Sequence, residues 1–147
     1  MDTTEIDALL EGRSEAIRAR DLDRLLAFYA PDIVYFDVVP PLYYAGIDAL
    51  RGRFRDWFGR WSSPIGQDVT DVHVEAGGDV AAVRMLIRTS GTLAAGREVG
   101  YCVRATDILR RTADGWAITH EHVSLPVEFP AGTAAMDLVP PQRGRAG

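Results

Sequence analysis

Three observations predict an α+β fold. The first third of the chain has helical periodicity, a strongly aromatic helix follows Gly46, and the period changes to two from Gln67 onward. Helices gathered in the N-terminal half and four successive strands in a meander put the helices on one side of a curved antiparallel sheet. Such a cone leaves a pocket between sheet and helices.

The first helix is predicted over residues 3–20, where Ile6, Leu10 and Ile17 recur at helical spacing beside Leu9, with Thr3 or Thr4 available as a cap. Arg13 stands three after Leu10 and four before Ile17, on the apolar stripe. Two readings stand for it: a cation sent into the helix–sheet space, or a side chain snorkelling from the edge of the stripe. Asp21 is placed to cap a second, short helix carrying Leu22, Leu25, Leu26 and Tyr29, which Pro31 ends.

Residues 33–38 are apolar and rich in β-branched and aromatic side chains, which predicts a strand with Ile33, Tyr35 and Asp37 on one face. Pro40-Pro41 breaks it before a short extended piece at residues 43–45. Ile47, Leu50, Phe54, Trp57, Phe58 and Trp61 then keep helical spacing, with Arg51, Arg53, Arg55 and Asp56 largely elsewhere. That aromatic face is core by the simplest reading, packed against the sheet.

In the meander, Val72, Val74 and Ala76 alternate with Asp71, His73 and Glu75, and Gly77-Gly78-Asp79 turns into a strand over residues 80–89. After a connection at residues 91–96, Val99, Tyr101, Val103, Ala105, Asp107 and Leu109 form one face of a long strand, and Asp107 is the odd member of that row. Ala113-Asp114-Gly115 closes the last hairpin. Strict alternation then gives Trp116, Ile118, His120 and His122 the core face, opposite Ala117, Thr119, Glu121 and Val123. One domain is expected over residues 1–139, with a loose tail at residues 140–147 after the composition turns to proline, glycine and alanine.

Composition limits the function. With 147 residues, 47% of them hydrophobic, the chain builds one real core, and a net charge of −5 excludes an electrostatic grip on nucleic acid. Cys102 is the single cysteine, so no internal disulfide forms. The first ten residues carry three acids and no base, unlike a secretory leader, and no apolar run is long enough for a membrane helix. The expectation is a soluble, cytoplasmic protein.

The stretch Ala19-Arg20-Asp21-Leu22-Asp23 leading to Ala30-Pro31-Asp32-Ile33-Val34-Tyr35-Phe36-Asp37, the block Tyr44-Ala45-Gly46-Ile47-Asp48-Ala49-Leu50, and the segment from Arg104 through Asp114-Gly115-Trp116 to His120-Glu121-His122-Val123-Ser124 together resemble the ketosteroid-isomerase-like and SnoaL-like branch of the nuclear transport factor 2 superfamily. The resemblance spans about residues 3–139. It implies the cone-shaped, cystatin-like sheet and a homodimer made through the sheet's outer face. It also implies that Asp37 matches the proton-shuttling carboxylate of steroid isomerases and Asp107 their protonated, hydrogen-bond-donating acid. The tyrosine of their oxyanion hole corresponds to Arg13, which replaces a neutral donor with a fixed cation.

From these residues follow three expectations of chemistry. In the first, Asp37 moves a proton next to a carbonyl, with Asp107 or Arg13 steadying the oxyanion and His122 as a pocket imidazole. Tyr35, Trp57, Phe58, Trp61, Tyr101 and His120 would then hold a small apolar molecule, without cofactor or metal, for isomerisation, cyclisation or dehydration. The second is a noncatalytic binding or dimerisation module of the same fold, and the third a hydrolase with a carboxylate-activated water. Structural alternatives accompany each residue: Asp37 as a cap of the turn after its strand, Asp107 as the ion-pair partner of Arg13, Arg84 or Arg104, and the histidines as satisfied by backbone carbonyls or, as an HxH pair, bound to metal.

Overall fold

A computed structural model describes residues 3–141. Three helices, α1 (Thr4–Arg18), α2 (Leu22–Leu26) and α3 (Ile47–Phe58), pack on one face of a six-stranded sheet. The strands are β1 (Tyr29–Phe36), β2 (Tyr44–Ala45), β3 (Gly66–Gly77), β4 (Val80–Thr92), β5 (Glu98–Thr112) and β6 (Gly115–Ser124), arranged β2-β1-β6-β5-β4-β3. Only β1 and β6 run parallel; the other neighbours are antiparallel.

The apolar stripe of α1 (Ile6, Leu9, Leu10, Ile17) and the face of α3 (Leu50, Phe54, Phe58) meet Ala81, Val83, Met85 and Ile87 of β4 and Val103, Ala105 and Leu109 of β5 in one core. The Asp21 carboxylate accepts the Arg24 amide at 3.1 Å and caps α2 as its position predicts. That helix ends at Leu26, however, and Tyr29 and Pro31 belong to β1 rather than to a longer helix. The proline is tolerated because β2 pairs only with Val34 and Tyr35, so β1 is a free edge at residue 31 and its missing N–H breaks no ladder.

The decisive departure from strict alternation lies in β6. Ile108 pairs with His120 but Leu109 pairs with Ile118, so Thr119 is an extra residue, and its hydroxyl donates to the Ile108 carbonyl at 3.2 Å. A single bulged residue moves everything after it to the other face. Ile118, Glu121 and Val123 therefore point into the core, while His120 and His122 point away from it. A second bulge between Thr70 and His73, with Asp71 at φ 55°, leaves Val72 exposed and returns Val74 toward the helices.

After β6 the chain makes a small hairpin, β7 (Val127–Glu128) with β8 (Thr133–Ala134), and buries Ala135. Gly91, at φ 154°, brings β4 against the segment after α3: a Cβ there would stand 3.0 Å from the Pro64 carbonyl oxygen and from the Trp61 ring. Residues 142–147 of the expected tail lie outside the described residues.

Ile118 is fully buried beside the bulge. Ile118→Ala is expected to lower unfolding free energy by about 2–5 kcal/mol, measured by urea denaturation, because it removes core volume that the neighbouring strands cannot refill.

Candidate functional site

Arg13 enters the helix–sheet space, as its helical phase predicts, and is only 4% exposed. Its Nη2 donates to Glu121 Oε1 at 2.6 Å and its Nε donates to the Tyr29 hydroxyl at 2.9 Å, which in turn donates to the same Glu121 oxygen at 3.0 Å. Glu121, which the bulge at Thr119 turns inward, thus takes the place of Asp107, the partner that the sequence suggests. Burial alone would disfavour the Arg13 cation, but Glu121 and its neighbours outweigh that and hold the guanidinium charged.

Asp107 sits directly across the ladder from Glu121 and is fully buried. Among the described residues it makes no ion pair with Arg84 or Arg104, and no N–H or hydroxyl donor reaches either of its oxygens. Burial first, then the charge of Glu121, push its carboxyl well above the ordinary range, so Asp107 keeps its proton and shares it with Glu121. For Glu121, burial acts upward but is overcome by Arg13 and by hydrogen bonds from Asp107, Tyr29 and Arg13, which hold it low. The cluster therefore contains one cation, one carboxylate and one carboxylic acid.

Two adjoining hollows open beside this cluster. The inner one is about 70 Å³ and is walled by Arg13, Tyr35, Asp37, Arg53, Phe54, Trp57, Gln67, Thr89 and Tyr101 among others. The outer one, about 760 Å³ and mostly apolar, is formed by Trp57, Trp61, Leu93, Val99, Leu125 and Met136 with the same Val38, Arg53 and Tyr101 that wall the inner cavity. The C-terminal extension thus supplies part of the outer wall.

Asp37 lines the inner cavity next to Val38 and Arg53, two of the residues that the hollows share. Its Oδ2 accepts Arg53 Nε at 2.6 Å and its Oδ1 accepts the Val38 amide at 2.7 Å, so it both caps the turn and faces the cavity. The sequence reading puts Arg53 largely away from the helix's apolar face, whereas the structure places it in the wall of both hollows. It stands three after Leu50 and four before Trp57, which is the same signal that singled out Arg13 and is the one that finds it.

The remaining expected site residues divide. Tyr35, Trp57 and Tyr101 line the inner cavity, and Trp61 lines only the outer groove. Burial pushes the phenols of Tyr35 and Tyr101 upward, so both stay protonated. Phe58 belongs to the core and to neither wall. His120 and His122 are corrected to the outer face of the sheet: His120 Nδ1 donates to the Val34 carbonyl at 2.7 Å, and both rings stand edge-on to Phe36. Among the described residues no group of three or more histidine, cysteine, aspartate or glutamate side chains could hold a metal. No described helix is long and apolar enough to cross a membrane.

The raised acid of Asp107 has a consequence for stability. Its pKa is higher folded than unfolded, so its contribution is complete below the ordinary carboxylate value of about 4 and declines as pH rises toward its folded value. Asparagine cannot ionise. Urea denaturation of Asp107→Asn and of the parent between pH 4 and 8 is expected to show the variant gaining relative stability as pH rises; parallel curves would place an ionised Asp107 in the core.

The chain matches the SnoaL-like domain over residues 6–128. Among solved structures it is similar to an NTF2-like protein of unknown function from Pseudomonas putida, at 31% identity and a TM-score of 0.84 over 93% of this chain and 95% of that one. A candidate dehydratase of the NTF2-like family from Streptomyces avermitilis matches at 24% identity and a TM-score of 0.76, over 86% of this chain and 97% of that one. A ketosteroid isomerase-like protein from Erwinia carotovora matches at 23% and 0.71, over 82% and 93%. These last two likenesses carry the fold alone. The search of curated proteins finds no match. A helix-capped cone with its hollow on the helical side, and a family match over most of its length, make this chain a member of the SnoaL-like domain family with an NTF2-like fold.

Proposed function

We propose that the protein is a small-molecule enzyme that performs acid–base isomerisation, cyclisation or dehydration on an apolar, carbonyl-containing substrate. The observation that carries this reading is that the two hollows share Val38, Arg53, Trp57 and Tyr101: the apolar groove adjoins a small cavity with a carboxylate, Asp37, in its wall. A substrate body in the groove presents its polar end to the cavity. Asp37 takes the proton next to the carbonyl and Arg13 and the neutral Tyr35 phenol steady the oxyanion; the proton then returns to another atom of the substrate in isomerisation or cyclisation, or to the departing hydroxyl, which leaves as water, in dehydration. The dehydratase and isomerase-like names among the structural relatives belong to this reaction class.

The hydrogen bonds already made by both Asp37 oxygens favour a second reading, a noncatalytic ligand carrier with Asp37–Arg53 as a structural strut. Asp37→Asn separates the two. After carbonyl compounds that raise the melting temperature have been found, the enzyme reading expects kcat to fall about 100 to 10,000-fold in the variant with ligand affinity kept. Tight binding without turnover by the parent protein supports the carrier.

For assembly we propose a homodimer through the sheet's outer face, where Phe36 and Ile108 are exposed. Sedimentation at micromolar concentration is expected to give the mass of two chains; a monomer would contradict it.

A further inference from the structure

Arg13 is a buried cation with one donor group left over. Nε and Nη2 are bound to Tyr29 and Glu121, Nη1 has no hydrogen-bond partner among the described residues, and the side chain is part of the inner cavity wall. Tyr35 is buried in the same wall and has no hydrogen-bonded acceptor among the described residues. Across the cavity stands a second guanidinium, Arg53, of which only Nε is engaged, by Asp37. The unspent hydrogen-bonding capacity of this wall is therefore dominated by donors, and two of its groups are planar guanidinium forks suited to a carboxylate.

Size restricts what enters. A cavity that holds benzene measures about 150 Å³. The inner cavity, at about 70 Å³, admits a carboxyl-sized head and no ring, whereas the 760 Å³ outer groove accepts a ring system. Each guanidinium is already neutralised on its far side, Arg13 by Glu121 and Arg53 by Asp37, so neither collapses onto the other's carboxylate when the cavity is empty of ligand.

We infer that the inner cavity is a carboxylate pocket, in which Arg13 Nη1 and the Tyr35 hydroxyl bind the acidic head of an aromatic or alicyclic acid whose rings remain in the outer groove. This rests on the small-molecule reading above and specifies the substrate's carbonyl group as that of a carboxylate, so that the donors assigned to the oxyanion are the ones that hold the acidic head. Arg13 then orients the ligand through its charge, and Glu121 with the protonated Asp107 acts behind it as a positioning pair that keeps the guanidinium aimed at the cavity.

The test compares 2-naphthoate with the isosteric, uncharged 2-naphthamide, by calorimetry at pH 7 on the full chain. The parent protein is expected to bind the acid at least tenfold more tightly than the amide. Tyr35→Phe, which leaves the buried ion pair alone, should cut affinity for the acid roughly tenfold, the worth of one hydrogen bond to a charged group, with little change for the amide. Arg13→Met combined with Glu121→Gln removes cation and carboxylate together and should abolish the preference; if that variant does not fold, Tyr35→Phe alone decides. Equal binding of acid and amide overturns the carboxylate pocket while leaving the apolar groove as a binding site. Failure of the parent protein to bind either compound overturns the inference and the small-molecule reading together.

Discussion

A guanidinium inside an apolar cone must be neutralised where it stands, and among the described residues Glu121 is the ion-pair partner that neutralises Arg13. Several otherwise separate features meet at this pair. The bulge at Thr119 exists on the strand that has to turn a carboxylate inward, Tyr29 is drawn out of the helical hairpin into β1 to share the pair's oxygen, and Asp107 opposite is left with a proton because a second anion would have no cation to answer it. Breaking a buried pair of this kind by removing one partner typically costs about 3–5 kcal/mol. The helix–sheet spacing and the charge of the cavity wall are thus fixed by one contact between α1 and β6.

Electrostatics also separates the two halves of the site. Arg13–Glu121 is buried, with only Arg13 reaching the inner cavity, whereas Asp37 and Arg53 both line that cavity, with side chains 7% and 13% exposed. Each cation meets its own anion, and the cavity between them is left with spare N–H and O–H groups more than with charge. Such a wall is preorganised for an oxygen-rich group: its donors are held by contacts made before any ligand arrives.

Much of the fold was legible in the sequence because the relevant signals are periodic. The helical phase of Arg13, the inward row ending in Asp107 and Leu109, and the capping role of Asp21 all follow from spacing alone, and the structure agrees with each. What was not legible depends on single-residue events. Nothing in the local sequence around Thr119 marks it as a bulge, and one unpaired residue exchanges the faces of Glu121 and the two histidines. Tyr29 reads as the last apolar residue of the second helix for a related reason: Pro31 looks like a helix stop, and only the shortness of β2 makes it an acceptable strand residue. Arg53 is legible too: it sits among charged neighbours, but its spacing from Leu50 and Trp57 is the spacing that places Arg13 on its apolar stripe.

The bulge in β6 makes strand register a switch of chemical identity for the interior. With Thr119 looped out, the residue facing Asp107 is a carboxylate; with it in the ladder, the same stretch would offer imidazoles instead. Drawing Thr119 into the ladder would recast an anionic interior as a basic one without altering any side chain, whereas deleting it would close the ladder and keep Glu121 facing Asp107. Divergence within such a fold can therefore proceed by insertion and deletion in a strand as well as by substitution, and comparisons that align β6 without a gap will equate residues pointing in opposite directions.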